Sequence, residues 1–175
     1  MKKMIVMASM GVMMILAACN VDSQFGYGGS MAEKYVKEEV LRGHDDVKSV
    51  EVVKEDSLLC DVGLMFERKN AWRKKNDYHE GLISKDELKS YLDSCMDELS
   101  AISDSWKFGK KPDNMERYEG KMRRVYTVKV TTDNGKVREI RVLMDNDGVT
   151  PRTTEEEFMN NLVDYLDDFE IGNIV

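Results

Sequence analysis

This chain is poor in the residues that break a fold or staple one. Two prolines and three cysteines in 175 residues exclude a proline-rich disordered stalk and a disulfide-dense scaffold alike. The two histidines, His44 and His79, stand in polar stretches without a partner at a recognisable spacing. Neither is assigned a catalytic or metal-ligating role. No G-x-S-x-G, H-E-x-x-H or Gly-rich phosphate loop occurs anywhere, so no catalytic residue, metal or cofactor is assigned. Positive charge is also in deficit: 26 basic against 33 acidic residues leave a net charge of −7, which argues against free nucleic acid as a partner. Long apolar runs are missing too. Met4 to Leu16 is the longest mostly apolar stretch, and a helix needs roughly 20 such residues to cross a bilayer.

What is present begins at that stretch. Met1-Lys2-Lys3 gives a positive start, the short apolar run follows, and Leu16-Ala17-Ala18-Cys19 closes it. A secretory leader has this order of charge, apolar core and small residues. The Cys at the cleavage point makes the four residues resemble the lipobox of bacterial lipoproteins. That resemblance implies cleavage before Cys19, thioether lipidation of Cys19 and acylation of the new amino terminus, which together anchor a small domain to a membrane of the cell envelope. The expected organisation is a leader at 1–18, a lipidated Cys with a Gly/Ser-rich tether at 19–30, and one domain at 31–175. Eleven flexible tether residues would span roughly 18 Å.

Capping boxes mark three helices: Ser30 with Glu33, Ser84 with Glu87, and Thr154 with Glu157. The second is the clearest element. Leu88, Leu92, Cys95, Leu99, Ile102 and Trp106 recur at spacings of four and three, an apolar stripe for a core. Between the helices, Val47–Lys54 and Leu58–Glu67 read as strands of one hairpin turning at Lys54-Glu55-Asp56-Ser57. Met122–Thr132 and Lys136–Met144 read as a second. A two-residue Asn-Gly loop would set Val128 opposite Arg141 and mix the faces of that second hairpin. A three-residue loop with Gly135 left-handed pairs Val128 with Ile140 and Tyr126 with Val142, keeping the apolar face intact. The expected fold is α+β, in the order α-β-β-α-β-β-α. A four-stranded antiparallel sheet from two hairpins carries helices on one face. This layout resembles cystatin-like and NTF2-like domains in element count.

Three groups of residues could carry function. Cys60 and Cys95 remain after lipidation, as either a disulfide or two buried thiols. Two connections are basic: Arg68-Lys69-Asn70-Ala71-Trp72-Arg73-Lys74-Lys75, and Lys107 to Arg124. Arg68, Trp72, Arg73, Lys74 and Lys75 would project together and contact an anionic surface or an acidic partner, unless they are ordinary solvated loop residues. Asp145-Asn146-Asp147-Gly148 begins like a calcium loop, yet Leu143 and Thr154 stand where oxygen ligands are needed, so it reads as a turn. The expected function is a membrane-anchored envelope lipoprotein acting as a non-catalytic binding module, its partner a protein or an anionic envelope component. The alternative is a small envelope enzyme whose pocket is lined by carboxylates such as Asp61, Glu67 and Glu139.

Overall fold

In the computed structural model, residues 24–60, 64–109, 111, 115–118 and 120–169 are described. Helix α1 (Gly26–Tyr35) continues through a wider turn over Val36–Val40. Then follow β1 (Val47–Leu59), α2 (Leu64–His79), α3 (Lys85–Phe108), a 3₁₀ turn at Met115–Tyr118, β2 (Met122–Thr132), β3 (Val137–Met144), β4 (Pro151–Thr154) and α4 (Glu155–Phe169). The strands form one antiparallel sheet in the order β1-β2-β3-β4. This is the expected α+β class and the expected strand number, built from a different set of strands.

The second hairpin is as its apolar pattern requires. Val128 faces Ile140 and Tyr126 faces Val142. The loop Asp133-Asn134-Gly135 closes under a Thr132–Lys136 hydrogen bond, with Gly135 at φ 80°. The first hairpin does not exist. Lys54 to Ser57 run straight on as strand, opposite Thr127 to Arg124, because β2 is long enough to offer every residue a partner. Bulges near Lys48 and Val53 absorb the twist. The chain from Leu64 is helix α2, not strand. The fourth strand is β4, an edge strand that opens on Pro151, where no ladder donor is needed.

Helices lie on both faces of the sheet, where one covered face was expected. Ala32, Val36 and Leu41 pack on Val50, Tyr126, Val128, Val130, Val142 and Met144. On the other side α2, α3 and α4 enclose Leu58, Leu59, Val125 and Leu143 together with the α3 stripe. Covering at one level from both sides buries Val125 to Val128 as an unbroken run. Helix α3 carries the complete Ser84–Glu87 capping box and ends on Gly109 at φ 63°. It is locked to the sheet near its last turn. There the Leu59 amide donates to Ser105 Oγ (2.9 Å), Trp106 Nε1 donates to the Leu59 carbonyl (3.0 Å), and Arg141 reaches the Trp106 carbonyl (2.9 Å) and Glu155.

Helix α1 starts at Gly26, so it takes up part of the expected tether, and the Ser30–Glu33 capping box is not formed. Ser30 Oγ donates back to the Gly26 carbonyl, and Glu33 instead accepts from the Val52 amide on the outer edge of β1 (2.8 Å). Gly28 is held against the sheet so closely that a Cβ there would sit 2.6 Å from the Gly148 carbonyl oxygen and 2.7 Å from the Tyr126 hydroxyl.

Candidate functional site

Helix α2 carries the surface feature that packing does not explain. Its sequence holds no Gly or Pro from Leu64 to His79, and its Lys and Arg residues are good helix formers. Glu67, Ala71, Lys74 and Tyr78, spaced four, three and four, turn inward. Ala71 is fully buried and Tyr78 packs at the core margin. Tyr91 on α3 donates to Glu67 Oε2 at 2.6 Å, and burial followed by that carboxylate pushes the Tyr91 phenol well above its ordinary pKa of 10.0.

The opposite face presents Lys69, Trp72 and Arg73, with Arg68 at its border. At i, i+3 and i+4 these side chains are neighbours on a helix. Trp72 is 69% exposed in the middle of them. Among the described residues no carboxylate pairs with Lys69 or Arg73. Arg68 differs: it meets Asp168 of α4 at 2.5 Å and lies over the Tyr165 ring at 5.4 Å. The last turn of α4 thus neutralises this one cation. Lys74 and Lys75 are half-buried, and Glu87 at the start of α3 lies within the field of Lys74. Of the five residues expected to project together, Arg68, Trp72 and Arg73 are exposed, Arg68 while paired with Asp168, and Lys69 joins them. Helical spacing of Lys69 with Trp72 and Arg73 is the signal that identifies it, once the segment is recognised as helix.

In the second basic stretch Lys107 and Lys111 are exposed, whereas the cations from Lys121 to Arg124 are folded into the structure. Lys121 pairs with Glu98, Arg123 donates to the carbonyls of Gly120 and Met122, and Arg124 pairs with Glu55 at 3.0 Å.

The remaining candidates resolve as follows. Cys19 and Asp61 lie outside the described residues. Cys60 and Cys95 are both buried in the core on the α2–α4 side and are not joined by a disulfide. His44 and His79 are exposed. Asp147 accepts from the amides of Val149 and Thr150 and from the Thr150 hydroxyl, bonds that hold its carboxyl below the ordinary range and close the β3–β4 turn. Among the described residues no group of three or more His, Cys, Asp or Glu is placed to hold a metal ion. Surface concavities formed by described residues include a polar one of about 510 Å³ at Glu55, Arg123, Arg124 and Asp147, an apolar groove of about 430 Å³ between α3 and α4, and one of about 430 Å³ beside Leu41 and His44. Neither Glu67 nor Glu139 lines any of them. Comparison with protein-family models, with curated proteins and with solved structures finds no match.

Proposed function

We propose that this protein is an envelope lipoprotein, held by lipid on Cys19, whose domain is a non-catalytic binding module that makes contact through the outer face of α2. One observation carries the reading. A tryptophan 69% exposed on a regular helix keeps a large apolar surface in water without serving the core. Its two nearest cations have no carboxylate partner among the described residues. Aromatic and guanidinium groups combined in this way mark recognition surfaces, because both gain most when a partner removes water from them. Of the carboxylates named for an enzymatic reading, Asp61 lies outside the described residues, Glu67 is bonded by Tyr91, and Glu139 is exposed on β3, and neither Glu67 nor Glu139 lines a concavity formed by described residues.

The test has two arms. Wild-type protein should partition into detergent and the Cys19→Ala variant should not; equal partitioning of the two removes the anchor from this reading. Affinity capture of the intact protein from its own envelope should then recover material that the Trp72→Ala variant fails to hold. Recovery by the variant equal to wild type removes α2 as the contact face.

A further inference from the structure

We infer that the outer face of α2 docks on the anionic surface of the same bilayer that holds the lipid, with Trp72 at headgroup level and Lys69 and Arg73 on lipid phosphates. This rests on the lipid-anchor reading and adds the identity of the occupant.

Chain geometry is the first support. Six peptide units separate Cys19 from Phe25, a reach of at most about 20 Å. Phe25 is fixed to the sheet: its carbonyl accepts from the Tyr126 hydroxyl, and Gly28 lies against Gly148. This is the end of the sheet where β1 finishes and β2 starts, since Leu59 faces Met122 and Glu55 faces Tyr126. Helix α2 leaves that same end, beginning five residues after Leu59. Helix α3 confirms the direction. Trp106 is fixed on Leu59, while Glu98, eight residues nearer the N-terminus, meets Lys121, which lies outside the last strand pair. The N-terminal half of α3, with α2 packed on it, therefore extends past the sheet at the pole from which the tether leaves.

Charge is the second support. The chain carries a net charge of −7, and α4 opens on Glu155, Glu156 and Glu157, so an anionic bilayer repels most of the surface. The carboxylates around α2 are Asp168, matched by Arg68, Glu67, held by Tyr91, and Glu87, in the field of Lys74; Asp77 stands one turn beyond Arg73 without pairing with it, and Glu80 follows the helix end. Lys69 and Arg73 are left to attract phosphate. Tryptophan prefers the headgroup level, where its ring is shielded and its N–H stays hydrogen-bonded. A face with two cations and one such ring would hold a free protein weakly. On a tethered one the same contact is intramolecular, at an effective concentration in the millimolar range.

The intact lipidated protein is reconstituted into vesicles of zwitterionic lipid alone, or with roughly 30% anionic lipid to give a physiological surface potential. Attachment is read by flotation. Exposure of Trp72 is read by acrylamide quenching and by quenching from brominated acyl chains, with the Trp72→Phe variant subtracting buried Trp106. In anionic vesicles, Trp72 should lose acrylamide access and gain quenching from the brominated chains; in zwitterionic vesicles it should not. Lys69→Gln and Arg73→Gln should each weaken the docked state by roughly fivefold. Protein that floats while Trp72 stays equally open to acrylamide in both vesicles overturns the docking and leaves the anchor standing. Protein that does not float removes the anchor reading instead, and the inference with it. Shielding of Trp72 that needs added envelope extract, and is absent on anionic vesicles, assigns the face to a protein and overturns the lipid occupant.

Discussion

The two basic stretches look alike as sequence and end as opposites. In the second, Lys107 and Lys111 stay exposed, but from Lys121 on the cations close on the molecule itself: Lys121 on Glu98, Arg123 on two carbonyls, Arg124 on Glu55. On α2 the backbone is regular, so side chains sort by angle, and Lys69, Trp72 and Arg73 are turned away from the protein. The difference lies in backbone form. An irregular connection wraps around helix and strand ends, where orphan carbonyls and carboxylates collect cations. A helix can shield only one face, and the other is free for something else. A run of like charge is therefore not a patch until the secondary structure beneath it is known.

Mutations can separate the two stretches, beginning where the effect is largest. Lys121→Met leaves Glu98, which is 8% exposed, without its cation and should cost about 2 kcal/mol in urea unfolding. Little or no loss would mean that the second stretch is as dispensable to the fold as the first. Ser84→Ala, at the start of the helix that carries α2, should cost about 1 kcal/mol. The Glu87 carboxyl is held below its ordinary value of 4.5 by bonds from the Ser84 amide and hydroxyl. Its stabilisation is present at neutral pH and disappears as pH falls through the carboxylate range. The gap between the wild-type and Ser84→Ala curves should narrow in acid by the part that the hydroxyl's bond to the carboxylate contributes, and a gap that does not change with pH would show that this bond is absent. At the small end, the double variant Lys69→Gln/Arg73→Gln should leave the melting temperature unchanged, because exposed unpaired cations contribute little to folding. A clear drop would show these two residues to be structural.

Legibility followed pattern strength. The α3 stripe from Leu88 to Trp106 is six residues deep and was readable in full, and the β2–β3 register followed from keeping Val128 and Tyr126 with apolar partners. The first hairpin failed for a specific reason. Lys54-Glu55-Asp56-Ser57 is good turn chemistry, but it holds no Gly or Pro to force a reversal, and Arg124 and Asp56 give its charges partners along a straight strand. Helix α2 was hidden because its inward row is Glu67, Ala71, Lys74 and Tyr78, with one fully buried apolar side chain among them. Hydrophobic periodicity needs hydrophobic residues. Where polar groups such as Tyr91 and Glu67 seat a helix, the pattern is silent. The candidate site shared that blindness: Trp72 and Arg73 were visible as residue types, Lys69 only through the angle that helix imposes.

The bond from the Val52 amide to Glu33 has a consequence for crowding. β1 is a 13-residue edge strand, and an open edge of that length is a template on which another copy can add its own strand. Molecules confined to a surface meet one another far more often than molecules in bulk, so sheet-to-sheet polymerisation is a sharper hazard there. A carboxylate seated on an edge amide occupies a rung of that ladder with a side chain that cannot be extended further. Together with the two bulges, it closes this edge to a strand from another copy.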